Sequence, residues 1–447
     1  MTDFAVDFLG CKISHTDADA VREALLAAGH TESDAAAVRV INTCCITAEA
    51  EKKSRQRVRR HAQAAGTEQV FVTGCGANLH PESYADAGEH VTVLTGGAMR
   101  NAARIVEATT ELGTLACIGE IDPVSGETAA PQRSIRRTRA FVKIQDGCSF
   151  TCSYCIVPTV RGDSRSRTLM AVLDDVARRV ARGQVEIVLT GVNIGLYRDP
   201  ETRASLPTLL KRVAAVSGVR RVRISSIEVN HVSRRLVDAI AETPNVCPHL
   251  HVPLQSGDDM VLEGMRRHYR TKRYRDAIAY ARECIPGLNL TTDVIIGYPT
   301  EDDASFERTR EFCAEMGFTK IHAFPYSPRP GTRAEAVANP VPKSVKAERS
   351  RLLRADADAR AHKLWQTHVG TVGDVLVETD GSRTGMALTS DHEAVTAAHD
   401  GASIGGYTND YCPVRITGNN TLRDGDIVHV AITGVDARGL VGTVHDR

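Results

Sequence analysis

The chain has 447 residues, 42% hydrophobic and 25% charged, with 55 basic against 55 acidic residues and a formal net charge of zero. This is an ordinary globular composition, long enough for two to four domains. It excludes nucleic-acid binding through bulk charge alone. No apolar run approaches the roughly 20 residues that span a bilayer, and Met1 to Asp7 lacks the basic and apolar regions of a signal peptide. The expectation is a cytoplasmic protein with no membrane partner, whose 12 cysteines are metal ligands or buried small side chains rather than disulfides.

The first part runs from Met1 to about Thr128, giving a domain over 1–128. Strands are expected at Phe4 to Leu9, Val38 to Asn42, Val70 to Thr73 and Val91 to Leu94. A helix is expected over Asp17 to Ala28, with Thr16 or Asp17 as N-cap and Val21, Leu25 and Ala28 at helical spacing. A second helix spans Ala48 to Ala65, capped by Thr47. Strands alternating with helices predict a doubly wound parallel sheet. Cys11, Cys44 and Cys75 then follow the first three strands, and in such a sheet the carboxyl ends share one ligand-binding edge. Each cysteine is flanked by turn-type residues, which suits loops and a second metal cluster better than the alternative of three buried core cysteines.

The second part runs from about Arg136 to Trp365. Strands are expected at Arg139 to Ile144, Val185 to Leu189, Arg221 to Ile224, His249 to Leu254, Asn289 to Ile296 and Lys320 to Pro325. Helical patterns between them, such as Met170 to Arg182 and Arg273 to Cys284, predict an incomplete parallel (β/α)6 barrel with its active residues at the strand C-termini. The first strand ends at Cys148, Cys152 and Cys155, a C-x3-C-x2-C run. Cubane clusters normally take four cysteines, so three leave one iron open to a substrate or cofactor. The competing reading is a structural zinc site, but zinc wants four closed ligands and the next histidine is His231. Gly191, Gly297 and Gly331 sit after strands or in turns, where glycine allows close backbone approach to a ligand.

A connector helix is expected from about Ser344 to His368. The third part, from about Gly370 to Arg447, reads as a small β-barrel over 370–437. Its strands are Asp374 to Glu378, Tyr411 to Ile416, Ile427 to Thr433 and Leu440 to Val444. From Thr371 onward there are five arginines and no lysine against eleven acidic residues. A generic grip on RNA is therefore not expected here, and contact would be local, through Tyr407, Tyr411 and Arg415; a structural cap is the other reading. Basic clusters lie elsewhere, at Lys52 to Arg60, Arg133 to Arg139, Arg161 to Arg167 and Arg266 to Arg275. Together they suggest a local surface for a polyanion.

Leu9-Gly-Cys-Lys12, Ile41-Asn-Thr-Cys44, Val72-Thr-Gly-Cys75 and Lys143-Ile-Gln-Asp-Gly-Cys148 resemble the signatures of the radical S-adenosylmethionine (SAM) methylthiotransferases. So do Ser225-Ser-Ile-Glu228, Pro253-Leu-Gln-Ser-Gly257 and the TRAM-like Gly406-Tyr-Thr-Asn-Asp-Tyr411. The resemblance implies a [4Fe–4S] cluster on Cys148, Cys152 and Cys155 that binds and cleaves SAM. It implies an auxiliary [4Fe–4S] cluster on Cys11, Cys44 and Cys75 that carries or donates sulfur, with Cys45 a bystander. Gly191, Glu228, Gln255 and Gly297 match family positions near SAM. The implied partners are the anticodon region of tRNA, an electron donor such as flavodoxin or ferredoxin, and a sulfur source.

The implied target is an unactivated aromatic C–H, which no side-chain base can deprotonate at neutral pH. A cofactor radical must carry that step. Three substrates compete: tRNA bearing N6-threonylcarbamoyladenosine, tRNA bearing N6-isopentenyladenosine, and an aspartate of a ribosomal protein. Gly10-Cys-Lys12, Lys52-Lys-Ser-Arg-Gln56 and Lys143-Ile-Gln-Asp146 look most like the first branch. Its carboxylate needs a cation, for which Arg161, Arg165 and Arg167 are candidates. The alternative of another class is a zinc-bearing RNA-binding module without catalysis.

Overall fold

The computed structural model describes residues 1–116, 138–338, 341–378, 404–418 and 421–445. The boundary at Thr128 and the arginines at 133, 136 and 137 lie outside these residues. The N-terminal domain is a five-stranded, all-parallel sheet in the order β2-β1-β3-β4-β5. Its strands are β1 (Asp3–Phe8), β2 (Thr31–Glu32), β3 (Val38–Thr43), β4 (Gln69–Gly74) and β5 (Val91–Val93). Val38 and Val40 pack with Val21, Leu25 and Ile105 on one face, while Ile41, Val70 and Val72 pack with Val58 and Tyr84 on the other. The sheet is thus doubly wound. β2 is too short to show an alternating pattern, and it was not anticipated.

Helix α1 spans Lys12–Ala27 with Cys11 at its N-cap, starting well before Asp17. Thr16 and Asp17 are not caps; both are buried inside the helix. The polar run Lys12 to Asp17 hides the helical period because a second domain, rather than solvent, receives it. Helix α2 (Ala48–Ala62) starts as expected, with Thr47 accepting from the Ala50 N–H.

The middle domain contains β6 (Arg139–Asp146), β7 (Arg165–Ser166), β8 (Glu186–Gly191), β9 (Arg221–Ile224), β10 (His249–His251), β11 (Asn289–Ile296) and β12 (Lys320–Pro325). β6, β8 and β9 form one parallel set and β10, β11 and β12 another. Parallel bridges Val222–Val246 and Ser226–His251 join them. This is the expected partial barrel of six parallel strands; β7 is an antiparallel strip on the β6 edge. Ala140, Val142 and Ile144 point into the apolar core shared with the surrounding helices. Strand alternation therefore turns Arg139, Phe141, Lys143 and Gln145 toward the lumen.

Helix Lys343–His368 leads to a closed barrel in the order β13-β14-β15-β17-β16. Its strands are β13 (Val372–Glu378), β14 (Ile404–Thr408), β15 (Pro413–Thr417), β16 (Ile427–Asp436) and β17 (Gly439–Val444). β17 lies beyond residue 437, and β14, with Gly405 and Gly406 at its centre, was not anticipated. This small barrel packs under the larger one. Glu378 accepts from Arg139 at 2.7 and 3.0 Å and from Thr138 at 2.6 Å. Arg221 and Arg223 donate to backbone carbonyls of Asp374, Tyr407 and Asn409.

Tyr407 and Tyr411, read from sequence as RNA contacts, stack on each other and under Arg139; Tyr411 also packs on Arg223. Arg415 pairs with Asp436 at 2.9 Å. These residues join the two barrels and the strands of the smaller one, as the capping reading expects.

Candidate cluster and substrate site

The register of the N-terminal sheet sets Phe8 beside Asn42 and Asn42 beside Thr73. Cys11, Cys44 and Cys75 consequently emerge together at one edge. Gly10, at φ +123°, makes the turn into α1; a Cβ there would lie 3.0 Å from Cys44 Cβ. Burial pushes the Cys44 thiol up to about 12, and the Cys11 and Cys75 sulfurs push it the same way. Burial likewise raises Cys75 to about 11, opposed by Arg161. Cys45 is fully buried beside Cys75. Its Sγ donates to the Cys75 carbonyl at 3.3 Å and it packs with Ile156 and Val160.

Cys148, Cys152 and Cys155 lie in the loop after β6. Burial raises Cys155 to about 12, with Cys152 and Cys148 adding to it. The loop is anchored by Ser153, whose hydroxyl bonds the Gly264 carbonyl at 2.8 Å and the Tyr298 phenol at 2.9 Å. Arg267 donates to Cys152 Sγ at 3.2 Å and lies 3.4 Å from Glu228. Asn193 Nδ2 lies 4.0 Å from Cys148 Sγ. Each triad thus has one sulfur bonded by a guanidinium, Cys75 by Arg161 and Cys152 by Arg267. Soft thiolates with neighbouring hydrogen-bond donors fit an iron–sulfur cluster.

The two domains meet through Arg161. Its guanidinium donates to Cys75 Sγ at 3.1 Å, to Asp17 at 2.9 Å and to Asp146 at 3.0 Å. Lys143 bonds the same two carboxylates. Burial would raise the Asp146 carboxyl, but Lys143 and Arg161 hold it near 2. A cavity of about 350 Å³ opens here, lined by Asp17, Asn42, Cys75, Asp146, Arg161 and Arg165 among others. Arg167 is spent on Asp175 at 2.9 Å. Of the three arginine candidates for a substrate carboxylate, Arg165 alone has no ion-pair partner among the described residues.

The lumen itself is polar. His251 lies 3.2 Å from Asp293 and 2.9 Å from the Thr291 hydroxyl, and His322 is adjacent. α1 packs along β6 and β8, with His15 edge-on to Phe141. Lys12, at the first turn of α1, enters this environment. Burial lowers its pKa, Arg139 and Arg223 lower it further, and Tyr411 and Asp293 oppose them. Among the described residues Lys12 makes no hydrogen bond or ion pair.

The residues expected near SAM divide. Glu228 is tied to the Cys148 loop through Arg267. Gly191 ends β8, where a Cβ would lie 2.8 Å from the Gln145 carbonyl; Gln145 in turn accepts from Asn193 N–H at 2.7 Å. Gln255 holds a left-handed φ of +64° and bridges Val294 at the lumen rim. Gly297 does not line the lumen by its missing side chain. At φ +70°, a Cβ there would strike Lys346 of the connector helix at 2.5 Å. The Arg267–Cys152 and Asp17–Arg161 contacts were not assigned from sequence, since their partners lie more than a hundred residues apart.

Residues 142–313 match the model of the Radical SAM superfamily, and residues 3–96 that of Uncharacterized protein family UPF0004. The chain is 34% identical to threonylcarbamoyladenosine tRNA methylthiotransferase MtaB of Chlamydia pneumoniae, over 84% of this chain and 86% of that protein. It is 33% identical to MtaB of Bacillus subtilis (strain 168) over 97% and 94%. It is also 32% identical to tRNA-2-methylthio-N(6)-dimethylallyladenosine synthase of Solibacter usitatus (strain Ellin6076) over 94% and 96%. The radical S-adenosylmethionine methyltransferase TsrM from Kitasatospora setae shares the fold, with a TM-score of 0.54 at 15% identity over 75% of each chain. A non-catalytic zinc-bearing module is set aside by these matches. The chain belongs to the radical SAM methylthiotransferase family and is an enzyme of that type.

Proposed function

We propose that the protein methylthiolates C2 of N6-threonylcarbamoyladenosine beside the anticodon of tRNA, using SAM and two [4Fe–4S] clusters. Cys148, Cys152 and Cys155 hold the cluster that binds SAM, with Gly191, Glu228 and Gln255 around it; Gly297 stands against Lys346 of the connector helix. Cys11, Cys44 and Cys75 hold the auxiliary cluster. The bound groups supply the radical and the sulfur. The chain's own residues orient the base between the two triads and keep water from it.

The observation that carries the substrate choice is Lys12. An isopentenyl group would call for an apolar lining, whereas Lys12 has no ion-pair partner among the described residues and shares its surroundings with Arg139, Arg223, Tyr411 and Asp293. Burying a threonylcarbamoyl carboxylate beside that amine relieves both unpaired charges. Arg165, at the rim of the interdomain cavity, suits a phosphate of the same RNA. Flavodoxin or ferredoxin is the electron donor, a separate sulfur source restores the auxiliary site, and the setting is the cytoplasm. No helix among the described residues is long and apolar enough to cross a membrane.

The test is nucleoside mass spectrometry after anaerobic reaction with SAM and a reductant. tRNA carrying N6-threonylcarbamoyladenosine should gain the 2-methylthio group and isopentenylated tRNA should not. The reverse preference, or activity only on a ribosomal protein, overturns the proposal.

A further inference from the structure

We infer that His368, Asp410 and Cys412 form a zinc site, separate from both cysteine triads, that fastens the connector helix to the C-terminal barrel. His368 is the last residue of helix Lys343–His368, while Asp410 and Cys412 flank Tyr411 between β14 and β15. His368 Nε2 lies 3.0 Å from Asp410 Oδ2, Cys412 Sγ 3.3 Å from the same oxygen, and Cys412 Sγ 3.9 Å from His368 Nε2. Zinc bonds of roughly 2.0–2.3 Å at tetrahedral angles place such donors about 3.3–3.6 Å apart. One ion fits among the three with shifts of a few tenths of an ångström.

The donor chemistry selects the metal. A thiolate, an imidazole and a carboxylate suit zinc, whereas magnesium and calcium take oxygen donors. A plain hydrogen-bond cluster accounts for the arrangement less well. Two donors converge on one carboxylate oxygen, and one of them is a thiol, a weak donor. The carboxylate is also held from behind, as zinc ligands are: its other oxygen accepts from the Thr408 hydroxyl. That hydroxyl in turn accepts from the Cys412 N–H at 2.9 Å. Asp410 and Cys412 are buried, and the His368 side chain keeps 26% exposure. The ion would enter from that side and keep a water as its fourth ligand, the open three-ligand arrangement zinc also adopts rather than the closed four-ligand one. Binding releases the Cys412 thiol proton to solvent.

The site would hold a strained residue. Tyr411 sits at φ +70°, costly for a side chain of its size, and receives a bond from Arg139 at 2.9 Å. Zinc on both of its neighbours would pin this turn and so fix the floor of the large barrel. The inference rests on these residues alone and not on the tRNA substrate.

The test uses the full-length protein, reconstituted anaerobically with iron and then given zinc chloride, with excess removed by gel filtration. Metal analysis should find about one zinc per chain. Zinc-edge X-ray absorption should show one sulfur at about 2.3 Å with nitrogen or oxygen at about 2.0 Å. Cys412→Ala and His368→Ala should each lower zinc at least tenfold with iron unchanged. His368 lies on a partly exposed helix end, so its variant decides the matter if the cysteine variant does not fold. Retention of no zinc, a sulfur-rich shell that points to the cysteine triads, or zinc unchanged in both variants overturns the site.

Discussion

The Arg161 guanidinium, from the barrel domain, donates to the Cys75 sulfur of the N-terminal domain across 3.1 Å. The contact makes a barrel residue part of the electronic surroundings of the N-terminal triad. A donor to a thiolate draws charge from it and raises the potential of a cluster bound there. Arg161→Met should therefore lower the auxiliary cluster's reduction potential by something on the order of tens of millivolts. Redox titration in a Cys148→Ala, Cys152→Ala, Cys155→Ala background isolates that cluster. The variant leaves Asp17 and Asp146 with Lys143 as their remaining cation, so a loss of about 2 kcal/mol should appear as a lower melting midpoint. An unchanged potential would leave Arg161 as a purely structural link.

Iron content separates the two triads. The reconstituted protein should bind about eight irons and the Cys148→Ala, Cys152→Ala, Cys155→Ala variant about four. Replacing Cys11, Cys44 and Cys75 should spare SAM cleavage and abolish thiolation. Cys45→Ala should keep both iron and activity, since that thiol is already used on the Cys75 carbonyl and packs with Ile156 and Val160.

Lys12→Met should reduce kcat/KM for threonylcarbamoylated tRNA by about 10- to 100-fold, the value of one charge-assisted bond at roughly 1.5–3 kcal/mol. Iron content and uncoupled SAM cleavage should not change. Equal losses in all three would mean that the substitution only disturbs Cys11 next door.

Glu186 gives the acid limb of stability. Burial pushes its carboxyl up, but Arg223, Arg139 and Arg221 bring it below the ordinary 4.5. The unfolded chain takes the proton first as pH falls, so this contribution is complete above about pH 5 and is lost from there down through the folded value. Glu186→Gln should flatten that limb while costing about 3 kcal/mol at neutral pH, because three arginines lose their shared anion. Melting midpoints across pH 3 to 7 provide the check; parallel curves for variant and parent would count against it.

Gly297→Ala tests whether this glycine serves packing or SAM. Left-handed φ and the Lys346 contact together should cost about 2 kcal/mol or more. Adding Lys346→Ala should return the part due to the clash. SAM affinity that falls and is not restored in the double variant would place Gly297 at the cofactor after all.

Much of this was legible in the chain. Cys11, Cys44 and Cys75 stood out because turn residues follow each strand, and β9, β11 and β12 matched their expected limits because one face of each is plainly apolar. Where polar residues are buried by another domain, the pattern misleads. Lys12 to Asp17 looked like a lead-in and is the first turn and a half of α1. Tyr407 and Tyr411 looked like a surface and are a floor. Arg161 was read as a ligand for substrate, when Asp17 and Asp146 already hold it. Local periodicity carries no information about partners so far away in sequence.

The base of the large barrel, where Glu378 and Tyr411 meet Arg139, has a consequence for how the protein is made. The middle of the chain exposes Arg139, Glu186, Arg221 and Arg223 until residues near the C-terminus cover them. On the ribosome, the catalytic domain would emerge with an open, highly charged underside and remain so until synthesis is almost complete. A chain cut short after the connector helix would keep all six cysteines of the two triads and still lack the floor of the large barrel.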